Sequence, residues 1–140
     1  MQRWMSLFWI AGRLKRRSYW LGALSLLIAS LAAQILTKTL PAPLGAAIYA
    51  VAEAIVAWIA VCLFARRLHD LGRSGWLQVP ALVLTLLGSA LIRPQVAGAL
   101  HLNPTLQAVG VMFGVAAYFG FIISLGLMRG TNGPNRYGEA

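Results

Sequence analysis

Residues 44–65 read LGAAIYAVAEAIVAWIAVCLFA, and this apolar stretch decides the class of the fold. A helix that crosses the hydrocarbon layer of a bilayer needs about 20 predominantly apolar residues, so the stretch is long enough to span. Helix is the expected conformation, because a backbone in lipid must satisfy its own hydrogen bonds and no barrel-like alternation is present. The stretch therefore predicts a transmembrane helix that carries a single acid, Glu53.

The composition of the whole chain agrees with a membrane location. Its 140 residues are 59% hydrophobic and only 11% charged, whereas soluble domains carry about 25% charged residues. Three further apolar stretches approach the spanning length, at residues 19–36, 76–92 and 106–128. The predicted fold is all-α: a single polytopic membrane domain over residues 1–140, with four transmembrane helices arranged as two hairpins. A lone cysteine, Cys62, is expected to be a small buried hydrophobe.

The first residues, MQRWMSLFWIAG, are too few to span a bilayer. They combine aromatic and apolar side chains with nearby basic residues, which is typical of a helix lying in the headgroup layer. We therefore expect a short amino-terminal interfacial helix. Basic residues ahead of residues 19–36 are also typical of a cleaved signal peptide. Cleavage would leave three spans and move the arginine-rich loops to the side that their charge disfavours.

The Lys and Arg residues are distributed unevenly over the predicted loops. Ten fall in residues 1–18, 66–75 and 129–140, whereas residues 37–43 and 93–105 hold only Lys38 and Arg93. The positive-inside rule places the basic segments, and with them both termini, in the cytoplasm. The chain has a net charge of +9. We expect its basic residues to interact with anionic lipid headgroups, and we expect no nucleic-acid partner.

Residues 64–76 read FARRLHDLGRSGW, in which His69 and Asp70 raise the question of catalysis. Adjacent residues point about 100° apart on a helix, so a histidine base oriented by its neighbouring carboxylate is disfavoured. No metal-ligand, phosphate-loop or nucleophile motif accompanies the pair. We therefore expect no enzyme, no metal site and no cofactor. A solvent-exposed turn, in which Gly72 ends one helix, is the better interpretation.

The single acid of this turn is expected to hold several arginines. Asp70 lies four residues after Arg66 and three after Arg67, within side-chain reach of both on a helix. We also expect a contact from Asp70 to an arginine outside the turn, with Arg136 or Arg13 as the candidates. The reason is the excess of cations and the turn residues of the GPNRYG tail, which can fold the tail back as an ordered cap. The sequence therefore predicts a wet, solvent-exposed turn that is held together as a charged clasp by ion pairs between Asp70 and several arginines.

Three blocks, FWIAGRLKRRSYW, ARRLHDLGRSGW and RGTNGPNRYG, resemble in this order the signature blocks of the domain of unknown function 805 family. The resemblance covers roughly residues 8–138, with Ile10 where the family pattern usually has phenylalanine. It implies a small bacterial inner-membrane protein with four spans and no established biochemical activity. The candidate residues for binding a lipid headgroup or a partner all fall on the predicted cytoplasmic side: Arg13, Arg16, Arg66, Arg67, His69, Asp70, Arg73, Trp76, Arg136 and Tyr137.

Two functions remain open. The basic face favours a non-catalytic protein that binds anionic lipid or a partner subunit, as a homo-oligomer or as an accessory subunit of a membrane complex. The alternative is a transporter or channel subunit that uses Glu53, because an ionisable residue near mid-bilayer is a functional candidate. We expect a neutral, hydrogen-bonded Glu53 that faces the bundle interior or a subunit interface. From their depth in the spans, Tyr118 or Thr85 is the predicted partner.

Overall fold

The computed structural model describes residues 10–138, whose regular elements are all helices and which divide into two compact units. Unit 1 comprises the described parts of Met1–Gly75 and Arg129–Ala140, and unit 2 is Trp76–Met128. The helices are α1 (Arg16–Thr37), α2 (Ala42–Asp70), a 3-10 turn (Gly75–Gln78), α3 (Val79–Leu91), α4 (Pro94–Ala99) and α5 (Pro104–Leu127). Most of the predicted interfacial helix lies outside the described residues. The prediction of a single domain over residues 1–140 stays a prediction.

Three of these helices, α1, α2 and α5, are long and apolar enough to cross a membrane. They coincide with the predicted spans at residues 19–36, 44–65 and 106–128. The remaining candidate, the apolar helix Gly75–Leu91, is shorter than this length. Most large apolar side chains of the three long helices are exposed, which is the surface expected of a protein that faces lipid rather than water.

Unit 1 is built on the antiparallel hairpin of α1 and α2. At the turn between them, α2 approaches α1 so closely that any side chain at Gly45 would overlap the Thr37 carbonyl oxygen. Near the middle of the hairpin, Ser30 Oγ donates a hydrogen bond of 2.7 Å to Glu53 Oε1. Cys62 is buried and free, as predicted. A close glycine contact and a polar contact thus set how the two helices are aligned.

The partner of Glu53 corrects the prediction from the sequence. We expected Thr85 or Tyr118, but the structure pairs Glu53 with Ser30 of the neighbouring helix in the same unit. The Thr85 hydroxyl instead donates to the Ala81 carbonyl oxygen in its own helix, at 2.8 Å. Counting residues along a span estimates depth in the bilayer but does not tell which helices are neighbours.

Unit 2 is built on a second antiparallel pair, α3 and α5. The two backbones meet at Gly88 and Gly114, where a Cβ atom on either residue would lie 2.7 Å from the other residue's Cα. Gln107 Nε2 donates to the Leu91 carbonyl oxygen at 2.7 Å and ties the ends of the helices together. Glycine is required at this crossing because a side chain would force the helices apart.

The connection between α3 and α5 also differs in part from the prediction. Residues 93–105 were expected to form a loop, yet they contain the short helix α4. The α5 amino terminus is capped by Asn103, whose side chain accepts a hydrogen bond of 2.8 Å from the Leu106 N–H, and Pro104 occupies the first helical position. The helix α4 has only six residues. A helix this short is barely stable by itself in water, so the local sequence gives only a weak signal for it.

Candidate functional site

The polar end of α2 is helical and buried, where the sequence predicted a solvent-exposed turn. The helix continues through the RRLHD segment to Asp70, and Arg67, His69 and Asp70 are all buried. It then ends as predicted, with Gly72 in the left-handed conformation at φ +70°. The prediction of a wet turn is wrong because two distant segments cover this helix end: the residues just before α1 and the tail that follows α5.

The Asp70 carboxylate is held between two arginines. Arg13 Nε donates to Oδ1 at 3.1 Å, and Arg67 Nη1 donates to Oδ2. Arg67 Nη1 also donates to the Leu14 carbonyl oxygen at 3.3 Å. The side chains of Arg13 and Asp70 are only 1% and 5% exposed. The predicted contact from Asp70 to an arginine outside its own segment is therefore confirmed, and that arginine is Arg13.

The tail, residues 129–138, folds back over the end of α2. The backbone N–H and the hydroxyl of Thr131 both donate to the Asp70 carbonyl oxygen, at 2.9 and 3.0 Å. Asn135 Nδ2 donates to the His69 carbonyl oxygen at 2.9 Å. The last carbonyl groups of a helix have no partners within the helix, and the tail supplies donors to two of these groups in α2. We call the tail, together with Arg13, Arg67, His69 and Asp70, the clasp.

Two aromatic contacts complete the clasp. The rings of His69 and Tyr137 are stacked, with centroids 3.9 Å apart and an angle of 8° between their planes. The Arg136 guanidinium lies 4.8 Å from the centre of the Tyr137 ring and donates to the Gly72 carbonyl oxygen at 3.3 Å. His69 Nδ1 lies 3.2 Å from the Gly12 carbonyl oxygen. Because a carbonyl oxygen only accepts, Nδ1 carries the proton of the neutral ring.

His69 belongs to the part of α2 that extends past the predicted apolar span. The helix has 29 residues and is about 43 Å long, whereas the hydrocarbon layer is about 30 Å thick. Burial lowers the pKa of His69, because removal from water disfavours the imidazolium. The hydrogen bond to Gly12 opposes this effect and the charge of Arg136 adds to it. The ring is therefore a neutral packing element at neutral pH.

The contacts of the clasp hold separate segments of the chain together. Both carboxylate oxygens of Asp70 accept from arginines, and His69 is held by a stacked ring and a carbonyl oxygen. Within residues 10–138, no group of three or more His, Cys, Asp or Glu residues is placed to hold a metal ion. The arrangement neutralises one acid and covers a helix end.

The structure brings together six of the ten predicted binding residues: Arg13, Arg67, His69, Asp70, Arg136 and Tyr137. Arg16 and Arg73 are exposed, and their side chains form no hydrogen bond or ion pair with the part of the chain that is described. Arg66 is half-buried, and its carbonyl oxygen accepts from the Leu14 N–H at 3.1 Å. Trp76 is 81% exposed and belongs to unit 2.

The binding residues predicted from the sequence did not include three residues of the clasp. Thr131 and Asn135 bind the end of α2, and a side chain at Gly130 would overlap the Asp70 carboxylate. The TNGPN segment of the tail does carry a turn signal, since these residue types favour turns. That signal predicts a bend but not the surface against which the bend packs.

Helices able to cross a membrane, with a buried arginine–aspartate clasp at one helix end, define the class: a helical membrane protein. The chain belongs to the family described as "Protein of unknown function (DUF805)", which matches residues 7–139. The three sequence blocks that resemble this family contribute the clasp residues. No curated protein and no solved structure matches the chain.

Proposed function

We propose that this protein is a non-catalytic, multi-pass protein of the bacterial inner membrane whose basic face binds anionic lipid headgroups. The proposal is carried by an imbalance of charge at the clasp end of unit 1. Asp70 is buried there between two arginines, so it offers no negative charge at the surface. The exposed cations at this end are Lys15, Arg16, Arg17, Arg73, Arg129 and Arg136.

Backbone contacts hold these cations at one end of the unit. The Leu14 N–H donates to the Arg66 carbonyl oxygen at 3.1 Å, which fixes the basic start of α1 beside the end of α2. The Arg73 N–H donates to the Leu68 carbonyl oxygen at 2.8 Å. Each basic residue near an anionic leaflet contributes about 1 kcal/mol of attraction. Several basic residues at one end of the unit therefore favour binding to anionic lipid. In this proposal, the clasp buries the negative charge of Asp70 and holds the basic segments together at one end of unit 1.

The proposed topology has four spans with residues 1–18, 66–75 and 129–140 in the cytoplasm. The helix Gly75–Leu91 serves as the third span, since its 3-10 turn and α-helical part together rise about 27 Å, close to the thickness of a thin bilayer. A reporter active only in the periplasm should be inactive when fused at residue 70 and active at residue 40. Activity at residue 70 would contradict this orientation.

Lipid retention in native mass spectrometry tests the headgroup proposal. The protein is extracted from vesicles that contain phosphatidylglycerol and phosphatidylethanolamine, and the retained lipids are counted. The Arg17→Gln/Arg73→Gln variant should retain at least about tenfold less phosphatidylglycerol, since it removes two surface cations. Retention by the unmodified protein should also fall with added salt, because exposed charges are screened.

The matched control is the Lys38→Gln/Arg93→Gln variant, which loses the same charge from the two segments predicted to be periplasmic. It should retain phosphatidylglycerol as the unmodified protein does. Equal losses in the two variants, or no loss in either, would refute a specific basic face. A protein that co-purifies stoichiometrically, and is released by Arg17→Gln/Arg73→Gln without loss of lipid, would identify the face as a subunit contact instead.

The alternative, a transporter or channel subunit, is favoured by the hydrogen bond between Ser30 and Glu53. This contact places an ionisable group and a hydroxyl at the same depth of a predicted membrane hairpin, where polar groups are costly and often functional. Proton or sodium flux into proteoliposomes should then be lost in Glu53→Gln. Ser25→Ala is the control, because the Ser25 hydroxyl donates to Leu21 within its own helix. Absence of flux in the unmodified protein would exclude this alternative.

A further inference from the structure

Arg13 places its guanidinium in a pocket lined by oxygen atoms of Asp70 and the tail. Nε and Nη2 each lie 3.1 Å from Asp70 Oδ1. Nη2 donates to the carbonyl oxygen and the hydroxyl of Thr131, at 2.7 and 3.1 Å. Nη1 donates to the carbonyl oxygens of Gly133 and Gly138, at 2.6 and 3.3 Å. All three nitrogen atoms of the guanidinium therefore have acceptors in the pocket.

The walls of this pocket are held by contacts that do not involve Arg13. Asn135 and Gly138 exchange two backbone hydrogen bonds of 3.1 and 2.9 Å, which close the tail into a tight turn. Gly133 and Gly138 adopt φ values of +74° and +114°, a region that favours glycine, and this conformation forms part of the turn that presents their carbonyl oxygens. Asp70 is also fixed by Arg67. Because these contacts do not involve Arg13, the pocket can form again around a guanidinium ion when the Arg13 side chain has been removed.

We infer that Asp70 and the tail form a binding site for a guanidinium group, in which Arg13 is the resident ligand. The site accepts a guanidinium ion from solution when the Arg13 side chain is removed. Its acceptors surround a planar group with donors on three separate nitrogen atoms, which matches guanidinium. An ammonium group carries all its donors on one atom and cannot reach the same set. The same chemistry is available from the Arg13 of a second copy of this chain.

Amide hydrogen exchange of the tail tests the inference. The reporters are three N–H groups of the tail: that of Thr131 donates to the Asp70 carbonyl oxygen, and those of Asn135 and Gly138 close the turn that lines the pocket. In Arg13→Ala they should exchange at least about tenfold faster, because several charge-assisted hydrogen bonds to the tail are lost. Guanidinium chloride at about 50 mM, far below the molar range that unfolds proteins, should restore most of the protection. Potassium chloride at the same concentration should not.

Two controls separate a lost ligand from a general loss of structure. Arg93→Ala removes an exposed arginine whose side chain forms no hydrogen bond or ion pair in the described chain, and it should leave tail exchange unchanged. The amides of α1 report folding of the hairpin in the same experiment. Arg13→Lys keeps the positive charge and the aliphatic stem, yet its tail should also exchange about tenfold faster, because the fork of donors is lost.

Each result bears on the inference. Tail protection in Arg13→Lys equal to that of the unmodified protein would overturn it, whether or not Arg13→Ala folds. So would a failure of guanidinium to restore protection in a folded Arg13→Ala protein, or equal restoration by potassium.

Mixing Arg13→Ala with an Asp70→Asn chain, which supplies Arg13 but has a damaged pocket, identifies the source of the guanidinium group. Recovery on mixing supports the site with a second chain as donor, and recovery with free guanidinium alone supports an intramolecular ligand.

Discussion

Tyr137 lies flat on the ring of His69, 3.9 Å away, and so joins the end of the tail to the end of α2. The stack has a charged neighbour on the tail side, since Arg136 lies over the Tyr137 ring. A neutral histidine suits this position, because an imidazolium would add a further cation where Arg13, Arg67 and Arg136 already outnumber Asp70. The docking of the tail is thereby linked to the protonation state of one ring.

The first prediction concerns pH. The pKa of His69 in the folded protein is lowered from its ordinary value of 6.5, so folding favours the neutral ring. Its contribution to stability is therefore complete above pH 6.5 and is lost as pH falls through the lowered pKa. Tail exchange, corrected for the intrinsic pH dependence of amides, should be faster at about pH 5 than at about pH 7.5.

The control for this prediction is His69→Phe, which keeps an aromatic ring against Tyr137 but cannot be protonated. Its corrected tail exchange should be independent of pH over the same range. A pH dependence as large as that of the unmodified protein would show that a group other than His69 is responsible.

The second prediction concerns the charge of Asp70. Asp70→Asn leaves the buried side chains of Arg13 and Arg67 without their counter-ion, and breaking a buried ion pair costs about 3–5 kcal/mol. Trypsin should then cleave after Arg129 faster under native conditions. Glu53→Gln, which changes an acid to an amide in the hairpin, is the control and should leave the rate unchanged. An unaltered rate in Asp70→Asn would contradict the role of the clasp.

The third prediction concerns the fit between Gly130 and Asp70. A Cβ atom at residue 130 would overlap the Asp70 carboxylate, and overpacking of this kind costs about 1–3 kcal/mol. Gly130→Ala should release the tail and accelerate cleavage after Arg129. Gly120→Ala serves as the control, because a Cβ at that position meets open space. Equal cleavage in the two alanine variants would show that the close contact at Gly130 is unimportant.

The fourth prediction concerns the hydrogen bond between Ser30 and Glu53. A double-mutant cycle with Ser30→Ala and Glu53→Ala should give a coupling of about 0.6 kcal/mol, the average for interhelical hydrogen bonds in a membrane protein. Unfolding in mixed micelles provides the free energies. The same cycle with Ser25→Ala in place of Ser30→Ala should show no coupling, because Ser25 bonds within its own helix. Equal couplings would mean that the contact is not specific.

Part of the fold could be predicted because it depends on properties local to the sequence. Whether a segment such as residues 44–65 can span a bilayer depends on about 20 consecutive side chains, so hydropathy was sufficient for the three long helices. The helix ends at Gly72 and Asn103 are equally local, since each is set by one residue and its immediate neighbours. Charge balance predicted that Asp70 contacts an arginine outside its own segment, because a single acid among cations must find partners, but it left Arg13 and Arg136 as alternatives, and the structure shows Arg13.

The rest was decided by tertiary structure. Ser30, rather than Thr85 or Tyr118, binds Glu53 because α1 is the helix that packs on α2, and depth along a span carries no information about neighbours. The tail recognises Arg13 largely through the backbone carbonyl oxygens of Gly133 and Gly138. Every residue has such an oxygen, so the sequence does not distinguish the ones that bind. The RRLHD segment is buried because the tail covers it, and burial of polar groups is stable only when distant segments supply their hydrogen bonds.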